Sequence, residues 1–330
     1  MFGGALDADA PDGDVVKGGY DDPDIVLSAE DAITASFAET TKLIIKQKFE
    51  VLEAVANAAA NAIGMDGLGA LGETANKYDA FTDDGGHKFQ VVETSDYCGL
   101  TGRCCCRPNH KLQLHVYQGD NEVMYMDRGC KLGCCCSCHE SCQQEMKVHV
   151  GPGEGELIAH IKEPMLGGFL SPTLNVMDRD GNDIAKIQAK ATCCIGGICC
   201  DHTFEVSDPE GNPMGKIVKE RPDDLTQAMK ELVSDADVFT LEVPKDMDPK
   251  KKAAMFSALH LIDYWLFESE GDVKLDIVNG ECSFKCCDMF CCGCIVPCSC
   301  SCGGGDSNDG DDYGGDDDGG GDDGGDDGGE

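Results

Sequence analysis

A chain of 330 residues with a formal net charge of −36 and no basic cluster cannot offset phosphate repulsion, which argues against nucleic-acid binding. The same acidity argues against constitutive electrostatic adhesion to anionic lipid, and the lack of a GxxxxGK[ST] loop leaves nucleotide-driven chemistry unsupported. The 23 cysteines fall in adjacent runs, without the spacing or signal peptide of a secreted disulfide scaffold, and so point to thiols that are buried, lipidated or metal-bound.

Residues 1–40 carry ten acidic residues against Lys17 alone and read as a disordered acidic arm. The opening MFGGALDADAPDGD has neither a basic n-region nor an apolar h-region, and Met1-Phe2 lacks the glycine that N-myristoylation requires. The expectation is a chain that faces the cytosol. Ser28–Ala62 reads as helix, with Ile44, Ile45, Phe49, Leu52 and Val55 near helical spacing, and Gly64, Gly67, Gly69 and Gly72 then break it into a linker. Lys88–Glu93 alternates as a strand does.

The next hundred residues hold a loose repeat. An apolar-x-Val pair, followed by glycine and a second apolar strand, occurs at Leu114/Val116, Val148/Val150, Leu174/Val176 and Phe204/Val206. LNVMDRDGNDIAKI (174–187) and FEVSDPEGNPMGKI (204–217) are the closest copies, each a strand, a Gly-Asn turn and a returning strand. The intervals of 34, 26 and 30 residues are too uneven for a regular solenoid, so the hairpins predict a sandwich or a closed barrel without sheet edges.

Phe239, Leu241 and Val243 then alternate as a strand, ahead of the most hydrophobic helix in the chain. Asp248 fits the N-cap and Pro249 the first helical position, where its missing N–H is no loss. From Ala253 to Phe267 the helix is apolar on nearly every side, through Phe256, Leu259, Ile262, Trp265 and Leu266, so protein or lipid must surround it. Those fifteen residues reach about 22 Å at 1.5 Å each, short of a hydrocarbon core of about 30 Å. His260 and Asp263 share one face, and an Asp at mid-bilayer would cost about 2.5–3.5 kcal/mol. A buried core helix is therefore favoured over a membrane span, with His260 and Asp263 as a locally satisfied polar pair. Threading this helix through a barrel would satisfy both the helix and the one-sided strands.

Nine cysteines follow between Cys282 and Cys302, including CCGC (291–294) and CSCSC (298–302), which suit a second lipidation patch or a soft-metal tract. From Gly303 onward there are twelve acidic residues and no basic one, a disordered tail serving solubility or weak binding of Ca²⁺ or a basic partner.

From about Thr41 to Ser269 the chain resembles the phospholipid scramblases. The landmarks, in order, are KLIIKQKFEVLE (42–53), NKYDAF (76–81), SDYCGLTGRCCC (95–106), CCCSCHESCQQEMKVHV (134–150), CCIGGICCDHTFEV (193–206) and the segment 234–269. The resemblance implies a tubby-like fold: a closed twelve-stranded β-barrel around a central hydrophobic C-terminal helix at 249–269. The division is then a disordered acidic arm (1–40), a barrel domain (41–272) and a Cys-rich, then Asp/Gly-rich, disordered tail (273–330).

The resemblance also implies palmitoylation at Cys134, Cys135, Cys136 and Cys138. One acyl chain holds a protein to a membrane only marginally, whereas several together anchor it. Buried or reduced thiols are the plainer alternative. Zinc ligation with His139 and Cys142 is another, although four thiols crowded into five residues suit tetrahedral geometry poorly. The family's Ca²⁺ loop maps to Asp235–Asp246, with candidate site residues Asp235, Asp237, Phe239, Leu241 and Asp246. Phe239 supplies no side-chain oxygen, Thr240 stands where glycine should, and the last position is Asp, not Glu, so a weak site or a plain strand is expected. The nuclear-import segment of some relatives corresponds to GKIVKERPDD (215–224), where Lys216, Lys219 and Arg221 are followed by two aspartates, so that feature is not carried over.

The expected function is membrane-anchored, Ca²⁺-stimulated, ATP-independent movement of phospholipids between leaflets, from the cytoplasmic face of the plasma membrane, without a catalytic constellation. The alternative is a palmitoylated lipid-binding adaptor without transport activity; a thiol-rich metal-binding protein is a third.

Overall fold

The computed structural model describes residues 28–48, 76–94, 110–132, 136–190, 194–195, 202–220, 237–267, 273–276 and 281–302. Twelve antiparallel strands form a closed barrel: β1 (Lys42–Lys48), β2 (Lys77–Thr82), β3 (His87–Glu93), β4 (Leu112–Gln118), β5 (Asn121–Arg128), β6 (Glu145–Val150), β7 (Glu156–Lys162), β8 (Thr173–Asp178), β9 (Asp183–Ala189), β11 (His202–Ser207), β12 (Pro213–Lys219) and β13 (Val238–Glu242). The two-residue strand β10 (Cys194–Ile195) lies outside the ring. The ring runs in chain order from β2 to β13 and closes where β1 pairs with both β13 and β2.

Alternation explains the interior. In β4, Leu112, Leu114 and Val116 are buried while Gln113 and His115 are not, and in β3 Phe89 and Val91 point inward. All four apolar-x-Val pairs of the sequence lie in β4, β6, β8 and β11 with both members buried. The two Gly-Asn turns are built as expected: Asp178 and Asp208 each accept the backbone N–H four residues on, while Gly181 and Gly211 take the positive φ the turns require.

Helix α2 (Pro249–Ile262), continued by a π-turn (Asp263–Phe267), fills the barrel. Asp248 caps it by accepting from the N–H groups of Lys250 (2.9 Å) and Lys251 (3.2 Å), with Pro249 in the first turn. Every residue from Lys252 to Leu266 is buried, as an apolar helix ringed by inward-facing strands must be. His260 and Asp263 do not pair with one another. The Nδ1–H of His260 donates to the Phe256 carbonyl at 2.9 Å, and Asp263 accepts from the Tyr78 hydroxyl at 2.7 Å. Burial, partly opposed by the Phe256 carbonyl, lowers the His260 pKa to about 4.

Three expectations are corrected. Residues 42–48 are strand, not helix: Leu43 and Ile45 alternate inward, and Ile44-Ile45 is a β-branched pair suited to a sheet. Phe49, Leu52 and Val55 lie outside the described residues. Helix does form at the start of the expected 28–62 stretch, as α1 (Ala29–Phe37), and this corrects the disordered arm expected over residues 1–40. Ser28 caps it, Ile33 and Phe37 are buried, and Phe37 stacks on Phe89 at 4.8 Å between centroids. Lys252, buried at the start of α2, donates to the carbonyls of Ala38 and Lys245, both at 2.9 Å, and so ties the two helices together. The third correction concerns the Cys-rich segment, whose described part is folded. Strands β14 (Val273–Asp276), β15 (Glu281–Cys291) and β16 (Cys294–Cys302) form a second sheet with β10. Residues 1–27 and 303–330 lie outside the described residues.

Candidate functional site

Because the barrel strands alternate in direction, the β5–β6 and β7–β8 connections emerge at one end, opposite the tight β8–β9 and β11–β12 turns. The carboxyl end of α2 emerges there as well. Trp265 meets Phe290 of β15 edge-on, with centroids 5.6 Å apart, so the β15–β16 hairpin covers this mouth. Cys136 and Cys138, the described members of the thiol run, sit in the β5–β6 connection; Cys134 and Cys135 lie outside the described residues. Cys138 is exposed and Cys136 partly so.

Ser137, between them, is the fixed point. Its N–H donates to the Cys292 carbonyl at 2.9 Å, its carbonyl accepts from Leu166 N–H at 2.9 Å, and its hydroxyl donates to Glu163 at 2.6 Å. Cys292 N–H in turn donates to the Phe169 carbonyl at 2.6 Å. The thiol loop, residues 163–170 and the hairpin tip are therefore locked together by main-chain bonds. Glu163 is buried, and its other oxygen accepts from Gln144 N–H at 2.8 Å. Burial outweighs these hydrogen bonds and raises the Glu163 pKa to about 7. At the foot of the same loop Glu145 accepts from His160 (3.3 Å) and Lys131 (2.6 Å); the hydrogen bond from His160, reinforced by Lys131, holds its pKa at about 2.

Glycine is required at the contact. A Cβ on Gly293 would collide with Ser137, and one on Gly167 would lie 2.6 Å from Glu163 Oε1 and 2.8 Å from Gly293 N. Four consecutive residues, Leu166, Gly167, Gly168 and Phe169, have positive φ; the two that are not glycine occupy a region that costs about 1–3 kcal/mol each. The hairpin tip adds Cys291, Cys292 and Cys294. The adjacent Cys291 thiol, with burial adding to it, pushes Cys292 above the ordinary thiol range.

The segment matched to a Ca²⁺ loop does not converge on a point. Asp235 lies outside the described residues. Asp237 is paired with Lys219 at 2.8 Å, while Phe239 and Leu241 face the barrel core from β13. Asp246 is exposed beyond the strand's far end. An extended strand cannot wrap its oxygens around one ion, so the residues present do not fit Ca²⁺. Among the described residues no group of three or more His, Cys, Asp or Glu side chains is placed to hold a metal. His139 is turned to Ser141, whose N–H donates to its Nδ1 at 3.2 Å. The central-helix residues Phe256, Leu259, Ile262, Trp265 and Leu266 are all buried, as the sequence predicts. Sequence reasoning missed Ser137, Glu163 and Gly293; a serine flanked by cysteines carries no signal that a carboxylate 26 residues on will hold it.

The scramblase family model matches residues 23–269. The chain belongs to the scramblase family. It is 29% identical to phospholipid scramblase 1 of Homo sapiens over 238 residues, covering 71% of this chain and 65% of that one. It is 30% identical to phospholipid scramblase 2 of Bos taurus over 230 residues, covering 69% and 68%. Human phospholipid scramblase family member 5 is 29% identical over 198 residues, covering 59% and 68%. The chain thus spans just under two thirds of the first of these relatives. No solved structure matches it. Among the described residues no helix is long and apolar enough to cross a membrane.

Proposed function

We propose that this chain is a membrane-anchored phospholipid scramblase, which lets phospholipids move between leaflets without ATP, from the cytoplasmic face of the plasma membrane. The supporting observation is the thiol loop: Cys138 is exposed and Cys136 partly exposed, on a loop pinned to the barrel end, in a chain of this family. Thiols so presented can displace coenzyme A from an acyl-CoA to form thioesters, and two or more acyl chains hold where one does not. Stimulation by Ca²⁺ is part of this reading, but no step is assigned to an ion at β13, because the residues there do not fit one.

Reconstitution tests the transport. Purified protein in liposomes carrying a fluorescent phospholipid should speed exchange between leaflets over protein-free liposomes, more so with Ca²⁺. Exchange no faster than in empty liposomes would remove intrinsic transport. A specific observation favours a second reading, a palmitoylated lipid-binding adaptor: α2 is enclosed by the barrel, and no described helix lays a polar path through a bilayer. The adaptor predicts vesicle binding without exchange. Replacing Cys136 and Cys138, together with Cys134 and Cys135, by Ser should release the protein from cell membranes. Undiminished membrane association would remove these thiols as the anchor.

A further inference from the structure

All the large hydrophobic side chains that are exposed among the described residues lie on the thiol-bearing end: Leu132, Met165, Phe169, Leu170, Met289 and Val296. Met165 is 67% and Phe169 63% exposed, on the segment whose left-handed backbone turns them away from the barrel. They come from three segments far apart in sequence: the β5–β6 connection, residues 165–170 and the β15–β16 hairpin. The hydrogen bonds from Ser137, Leu166 and Cys292 fasten those segments into one surface. An apolar patch assembled this way, with its backbone held in costly conformations, is unlike scattered surface leucines.

Charge says what covers it. The chain carries 62 acidic residues, yet residues 164–172 and 289–302 contain no Asp, Glu, Lys or Arg. A chain this acidic is repelled by an anionic bilayer and not attracted by a zwitterionic one, so burial of apolar side chains through such a face is the contact left to it. The thiols proposed to carry acyl chains open onto the same face, so those chains would enter the bilayer where these side chains meet it.

We propose that this end of the barrel is a bilayer-docking face, in which Met165, Phe169 and Leu170, flanked by Leu132, Met289 and Val296, insert into the interfacial layer of a phospholipid membrane without acylation. The inference deepens the lipid-directed reading above and rests on it, but adds a contact made by the polypeptide. It also gives the β15–β16 hairpin a role: beyond closing the mouth over Trp265, it supplies two of the six side chains and the main-chain bonds that order the rest. Insertion is driven by apolar burial, so binding to neutral lipid is insensitive to salt.

The test uses the full chain purified from a bacterium, which does not palmitoylate it, mixed with phosphatidylcholine vesicles and separated by flotation. The wild type should float with the vesicles equally at low and high salt. The Met165→Glu/Phe169→Glu double variant should partition at least tenfold less. Lys147→Glu, on the exposed outer face of β6, makes the same change in net charge and should float as the wild type does. Matching far-ultraviolet circular dichroism and melting curves show that the variants are folded. A wild type that stays with the soluble fraction, or a double variant that floats equally well, overturns the proposal. So does a lipid-free dimer that the double variant converts to monomer, since a second copy would then be the occupant. Leaflet exchange by acylated protein is measured separately. Exchange without this docking would sink the face and spare the scramblase reading; docking without exchange would do the reverse.

Discussion

Glu163 holds the Ser137 hydroxyl and the Gln144 N–H with one buried carboxyl, and it does so with its pKa raised to about 7 by burial. Between the ordinary carboxylate value of 4.5 and 7 the folded chain binds this proton and the unfolded chain does not, so its contribution to stability falls as pH rises through that window. His260 works the other way. With its pKa lowered to about 4, the unfolded chain takes up a proton below 6.5 that the folded chain refuses, and stability falls as pH drops. The two slopes oppose, so Glu163 must be read by difference. In urea melts from pH 5 to pH 8, the stability of wild type minus that of Glu163→Gln should fall with rising pH, by at most about 3 kcal/mol at roughly 1.4 kcal/mol per pKa unit. A flat difference would show that the carboxyl titrates normally. Gly293 offers a steric test of the same junction. Gly293→Ala places a methyl on Ser137 at a φ of +86°, so the hairpin tip must lift. Cys136 and Cys292 should then react faster with iodoacetamide, read by mass spectrometry, while the barrel's melting changes little.

At the scale of elements, packing separates the barrel from its cover. Phe256 of α2 touches both Phe37 and Phe89, at 5.9 and 5.6 Å between centroids, in the middle of the core. Phe256→Ala should cost about 3–5 kcal/mol in equilibrium unfolding. Phe290 is equally buried, but among the described residues its ring partner is Trp265, at the mouth. Phe290→Ala should speed hydrogen exchange in residues 288–302 and leave exchange in β4–β8 unchanged; a uniform rise across the barrel would mean the hairpin is integral to its folding. These elements differed in how well the sequence announced them. The α2 helix was legible because an all-round apolar segment with Asp248 and Pro249 at its start admits few placements. The hairpins were legible because Gly-Asn turns constrain both strands. Strand β1 was not, since Leu43, Ile44 and Ile45 satisfy period two as well as a helical stripe, and only pairing with β13 and β2 decides. Nor was the site: its thiols stood out by composition, whereas the contacts that orient them join Ser137 to Cys292 across more than 150 residues.

For the molecule as a whole, closure is the governing fact. One strand, β1, bonds to both β13 and β2, so the last barrel strand in sequence is secured by the first. A chain beginning at Phe49 lacks β1 and α1. It exposes unpaired edges on β2 and β13, removes Phe37 from against Phe256, and takes away the Ala38 carbonyl that receives the buried Lys252. Open apolar edges of this kind pair with other chains. The expected outcome is an aggregate with no cooperative melt, even though ten residues in α2's core stretch remain, from Ala253 to Ile262. Removing residues 303–330, an Asp/Gly-rich segment whose only large apolar residue is Tyr313, is the matching control, and its melt should agree with the full chain to within about 0.5 kcal/mol. A soluble, cooperatively folded chain from Phe49 onward would show instead that α2 and eleven strands suffice, and that β1 closes a barrel already formed.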